Sequence, residues 1–172
     1  MKIIILNGKG RCGKDTFIEL LRKYTSVYHW SSIDTIKDIA INYFDWDGKK
    51  DLAGRKLLSD LKLAAVAYND MPHTEFKNKV QIAEGIGAKL MVAVIRDIPE
   101  IIKALEDPDL NEYEIKTVLI QRNEVNKTFN NPADDDVENF IYDYYISNNS
   151  TIKELEESAF TLINSMGVGR SK

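Results

Sequence analysis

Near the amino end of the 172-residue chain, the stretch Lys2-Ile3-Ile4-Ile5-Leu6-Asn7-Gly8-Lys9-Gly10-Arg11-Cys12-Gly13-Lys14-Asp15-Thr16 decides the fold. Four consecutive apolar residues, Ile3 to Leu6, lack the alternation of a half-exposed strand, which predicts a strand buried on both faces at the centre of a parallel sheet. After the glycines, Phe17, Leu20, Leu21 and Tyr24 recur at i, i+3, i+4 and i+7, the spacing of one apolar helix face. The order is therefore strand, glycine-rich loop, helix. The loop satisfies G-x-x-x-x-G-K from Gly8 to Lys14. Small residues let consecutive backbone N–H groups wrap a phosphate, the helix start adds its positive end, and the lysine bridges terminal phosphates. Gly8, Lys9, Gly10, Arg11, Cys12, Gly13, Lys14, Asp15 and Thr16 are the candidate phosphate-binding residues, with Cys12 read as a small loop filler.

A second pattern overlaps this one. Gly8, Gly10 and Gly13 also spell G-x-G-x-x-G, and Asp34 follows Gly13 at about the distance of a dinucleotide ribose acid. Lys14 directly after the third glycine favours the phosphate loop, and a dinucleotide enzyme of this length would leave little chain for a substrate domain. The residue after the lysine, usually a hydroxyl, is Asp15, with Thr16 one place later. Either could contact Mg²⁺, or Asp15 could favour the helix start electrostatically.

Composition narrows the class of protein. The chain is 44% hydrophobic and 29% charged, as expected of one ordinary domain with a real core. Lys and Arg number 23 against 27 Asp and Glu, a net charge of −4, so no bulk positive field exists to hold a nucleic-acid backbone. The single cysteine forms no internal disulfide, and no apolar run approaches a membrane span. The chain is read as intracellular and cytoplasmic, with neither nucleic acid nor membrane as partner.

Further along, residues 27–30 predict a weak second strand, and Ile36, Ala40 and Tyr43 continue at helical spacing behind a Ser31 or Ser32 cap. Leu57, Leu58, Leu61, Ala65 and Tyr68 predict another helix, and Phe76, Val80 and Ala83 one more after Pro72. The run Leu90-Met91-Val92-Ala93-Val94-Ile95 is a strand ending at Arg96-Asp97. A short helix over 99–105 and a strand over 116–120 follow, the latter ending at Gln121-Arg122. A polar stretch occupies 123–139, 142–146 reads as an edge strand, and Thr151-Ile152-Lys153-Glu154 opens a last helix. That helix carries Ile152, Leu155, Ala159, Leu162 and Met166 on one face and stops at Gly167. Alternating apolar strands and helices predict an α/β fold, a three-layer α/β/α sandwich around a mostly parallel five-stranded sheet. Ligands of such sheets sit beyond the carboxyl ends of the strands, so Gly8 to Gly13, Arg96-Asp97 and Arg122 should converge.

Gly13-Lys14-Asp15-Thr16 after a hydrophobic strand resembles the phosphate loop of bacteriophage-type deoxynucleoside monophosphate kinases, and also that of animal-type phosphomevalonate kinases. Both are P-loop kinases. Asp47-Gly48-Lys49-Lys50 with Gly54-Arg55-Lys56-Leu57-Leu58-Ser59-Asp60 is similar to the acceptor-binding helical segment of such proteins, placed at about 31–87. Arg96-Asp97-Ile98-Pro99-Glu100-Ile101 resembles the segment after their third strand. Asp136-Val137-Glu138-Asn139 with Tyr142-Asp143-Tyr144 resembles the region after their lid, placed at about 122–140. The resemblance implies one P-loop kinase domain over 1–172, ATP as phosphoryl donor with Mg²⁺, and a nucleoside or deoxynucleoside monophosphate as acceptor. Phosphomevalonate or dephospho-coenzyme A as acceptor, or nucleotide binding without catalysis, are the alternatives.

The resemblance also implies roles for particular residues. Lys14, Arg96 and Arg122 would be catalytic, with Arg55 and Arg96 on the acceptor phosphate and Arg122 closing over the transferring group. Asp34 reads as a base for an alcohol acceptor, a contact to a sugar hydroxyl, or a first-turn helix acid. It is diagnostic because a phosphate acceptor is already an anion and needs no base. Asp97 holds magnesium through water in the reading adopted, or caps the next helix with Glu100 reaching back. His29 and His73 lack the spacing of zinc ligands.

Overall fold

The computed structural model describes residues 1–123 and 136–169. Most of the expected lid, residues 124–135, lies outside the described residues. Five strands form one sheet: β1 (Lys2–Asn7), β2 (Val27–Ser31), β3 (Leu90–Val94), β4 (Glu114–Gln121) and β5 (Tyr144–Ser147). Their order is β2-β3-β1-β4-β5 and every pairing is parallel, with Ile4 opposite Val92 and Lys116. The sheet is thus wholly parallel. β1 lies at its centre, where the Ile3-Ile4-Ile5-Leu6 run can be buried on both sides, and all four residues are fully buried.

Strand alternation splits the core into two layers. Ile4, Leu6, Val92, Val118 and Ile120 face α1 (Lys14–Arg22) and the last helix, α6 (Ile152–Ser165). Ile3, Ile5, Met91 and Ala93 face α4 (Met71–Gly85) and α5 (Ile98–Glu106). On that second side Trp30 stacks on Phe76 with ring centroids 5.7 Å apart. Two further helices, α2 (Asp34–Phe44) and α3 (Leu52–Asn69), pair through a small satellite cluster of Ile36, Ala40 and Leu58. Of the helices in the segment 31–87, α4 therefore belongs to the main core, while α2 and α3 bury their apolar faces chiefly on each other.

Local expectations fail where helices outrun their packing partners. Tyr43 and Tyr68, in the last turns of α2 and α3, are strongly exposed, and Ile152 at the start of α6 is also exposed. Neither Ser31 nor Ser32 caps α2: the N-cap position is Ile33, and the Ser31 N–H instead donates to the Asp34 carboxylate at 3.0 Å. Thr151 does cap α6, accepting the Glu154 N–H. Among the described residues no helix is long and apolar enough to cross a membrane.

Candidate functional site

The loop from β1 into α1 is held at both ends by asparagines. Asn7, fully buried, accepts the Gly8 N–H at 2.7 Å and donates from Nδ2 to the Arg96 carbonyl at 3.0 Å and the Tyr142 hydroxyl at 2.8 Å. The Tyr142 hydroxyl donates in turn to the Val137 carbonyl, 2.9 Å away, and burial pushes its pKa up to about 12, so it stays a neutral donor. Gly8 has φ +145°, and a Cβ there would lie 2.5 Å from the Ile120 carbonyl, so the loop leaves the sheet against the end of β4. At the other end Asn148, just past β5, donates to the Cys12 carbonyl at 2.8 Å. A peptide's N–H points opposite its C=O, so this bond turns the Gly13 N–H away from Asn148. Gly13 sits at φ +100°, where a Cβ would approach Asn148 Nδ2 to 2.3 Å. Cys12 is buried beneath the loop as a packing residue.

Lys14 follows at the first position of α1. Its ammonium bonds the carbonyls of Gly8 at 2.5 Å and Lys9 at 2.9 Å, which folds the lysine along the inside of the loop. Asp15 and Thr16 are exposed in the first turn of α1, whose N-cap is Gly13 and which has no side-chain cap. Lys9 reaches Glu138 at 2.9 Å.

Of the other expected residues, Arg96, Asp97, Asp34 and Arg122 lie along the same edge. The Ile95 N–H donates to the Leu6 carbonyl, the Ser32 N–H to Val94, and the Asn148 N–H to Gln121. These bonds bring the loop, Arg96-Asp97, the Ser31–Asp34 turn and the end of β4 beside one another. Arg96 is half-buried and Arg122 exposed. Arg55 stands in the first turn of α3, its Nε donating to the Lys50 carbonyl at 2.9 Å. Asp34 lies in the first turn of α2, holding Lys37 at 2.9 Å besides the Ser31 N–H, so both carboxylate oxygens are engaged there.

The residue that sequence reasoning missed is Lys62. It comes from the middle of α3 and donates to Ser32 Oγ at 3.3 Å, to the Asp97 carboxylate, and to Glu100 Oε2 at 2.9 Å. Burial pushes the Glu100 pKa up, and the Lys62 ammonium opposes that shift. Asp97 occupies the N-cap position of α5 yet makes no cap hydrogen bond, so the capping box with Glu100 does not form. A signal for Lys62 existed: it falls four residues after Leu58 on the buried stripe of α3, where a cation needs partners. Asn7 and Asn148 carried no such signal, because their partners are backbone atoms or, for the Tyr142 hydroxyl, lie far off in sequence.

The chain matches no protein-family model and no curated protein sequence. Solved structures share its fold. The tunicamycin resistance protein of Deinococcus radiodurans aligns with a TM-score of 0.58 at 10% identity, over 100% of this chain and 99% of that one. A sugar kinase from Janibacter sp. aligns with a TM-score of 0.53 at 10% identity, over 99% of each chain. At such identity the likeness is one of fold: an α/β protein of the P-loop kinase type, with a parallel sheet ordered 2-3-1-4-5 and helices on both faces.

Magnesium can be weighed against the donor set. It is a hard cation that keeps several waters and needs only one or two protein oxygens besides those of phosphates. Asp15 and Thr16 beside Lys14, and Asp97 at the end of β3, supply oxygen donors of that kind, whereas no closed group of three ligands forms among the described residues. That pattern suits a metal bound together with a nucleotide.

Proposed function

We propose that this chain is an ATP- and Mg²⁺-dependent kinase that phosphorylates a nucleoside or deoxynucleoside monophosphate. The observation that carries the reading is the Gly8–Lys14 loop, clamped by Asn7 and Asn148 at the carboxyl edge of the central strand, with Arg96 next to it. Loop N–H groups and Lys14 hold the donor phosphates. Arg96 and Arg55 take the acceptor phosphate, and Arg122 the charge of the transferring group. Mg²⁺ held by Asp15 or Thr16, and through water by Asp97, would offset phosphate charge when bound.

Transfer itself demands little covalent help. An acceptor phosphate oxygen attacks the γ-phosphorus, the bond to the bridging β–γ oxygen breaks, and ADP leaves with that electron pair. Because the acceptor is already anionic, no general base is needed. The engagement of both Asp34 oxygens with α2 and Ser31 supports this class of acceptor over an alcohol, since that acid is already committed to its own turn.

The test is ADP release measured with a panel of monophosphates. Release is expected to require one of them, and Arg122→Ala is expected to lower kcat about 100-fold or more while changing the ATP dissociation constant less than about threefold. Release that ignores every monophosphate overturns the acceptor assignment. An Arg122→Ala enzyme with unaltered kcat removes the transition-state role.

A further inference from the structure

Lys62 is 13% exposed, and its partner Glu100 is 14% exposed. An ammonium has three N–H groups. Here three acceptors meet them: Ser32 Oγ, the Asp97 carboxylate and Glu100 Oε2. The three come from two places, the turn after β2 and the start of α5, so one side chain of α3 fastens both to the satellite helices. Lys62 thus has no N–H left for a substrate without surrendering one of these bonds.

Two features mark this as more than packing. A buried lysine is neutralised by one carboxylate, and this one has two, which leaves the cluster with a formal charge of −1 next to Arg96. In addition, Asp97 gives up the ordinary task of an aspartate at an N-cap position, accepting a first-turn N–H, in order to hold the lysine. Its carboxylate is directed by α3 instead of by its own helix. Only Oδ2 is bonded to Lys62, and Asp97 is still 35% exposed.

We infer that Lys62 is a positioning residue for phosphoryl transfer: it fixes the Asp97 carboxylate at the end of β3 and couples that placement to the α2–α3 pair. The inference rests on the kinase reading for the reaction served. In steady-state kinetics with ATP and the preferred monophosphate, Lys62→Met is expected to lower kcat about tenfold or more with KM for ATP changed less than about threefold, and Lys62→Arg to restore most of the loss. Asp97→Asn is expected to lower kcat as well. The double variant should be no slower than the slower single one, because both changes undo the same placement. Hydrogen exchange at residues 97–101 should quicken in Lys62→Met while that of α6 does not. A kcat unchanged in Lys62→Met, or single effects that multiply in the double variant, overturns the role. A wild-type chain that phosphorylates nothing removes the kinase reading itself, whereas wild-type activity fully retained by Lys62→Met removes only the role of Lys62.

Discussion

In the phosphate loop, single atoms decide what is possible. Gly13 is required twice over: its φ of +100° is a region that side chains rarely adopt, and a Cβ would press to 2.3 Å from the Asn148 amide that orients the Cys12 carbonyl. Gly13→Ala is therefore expected to destabilise the protein by about 1–3 kcal/mol and to weaken nucleotide binding, read from urea denaturation and an ATP titration. An unchanged denaturation midpoint would contradict this account of the loop. At this scale the readable residues were those with a motif: Gly8, Gly13 and Lys14 announce themselves by spacing. Asn7, Asn148 and Tyr142 do not, because each serves the loop through partners more than 80 positions away in sequence or through backbone atoms. Asp34 was legible only as a set of alternatives, and the structure supplies the partners that support the first-turn one.

Helices are joined by polar clasps as well as by apolar packing. Asp107, after α5, accepts the Asp109 N–H at 2.9 Å and meets His73 Nε2 of α4 at 2.7 Å, with Lys77 of α4 at 3.4 Å from it and 2.8 Å from Asp109. The Asp109 N–H first, and His73 second, hold the Asp107 carboxyl below the usual carboxylate range. A depressed folded-state pKa contributes stability above the unfolded value, which is lost as pH falls through the folded one. From about pH 5 downward, wild-type unfolding free energy should fall more steeply than that of Asp107→Asn, as read from denaturant titrations at each pH. Parallel slopes would show that the clasp contributes nothing. Most elements could be read from apolar period: β1 and β3 as unbroken runs, and α6 from its cap and stripe. Helix ends could not, since Tyr43, Tyr68 and Ile152 continue a stripe past the last neighbour that could cover it.

Across the whole molecule, the sheet order places the loop, Arg96-Asp97, the end of β4 and Asn148 on one edge, and this follows from parallel strands whose carboxyl ends all point one way. The approach of the loop, Arg96-Asp97 and the end of β4 was legible from the alternation of apolar strands with helices and from motif position; the arrival of Asn148 was not. What the sequence could not disclose was the route by which α2 and α3 reach the edge, because a lysine amid leucines carries no address for its partners. The central claim is that an anion cradle built on Lys14 binds nucleotide. Calorimetric titration of Mg²⁺-ATP into the wild type and into Lys14→Met, each shown to be folded by its melting curve, tests it most directly. Saturable binding by the wild type and affinity lower by about 30-fold or more in the variant are predicted; equal affinity in the two would contradict the account.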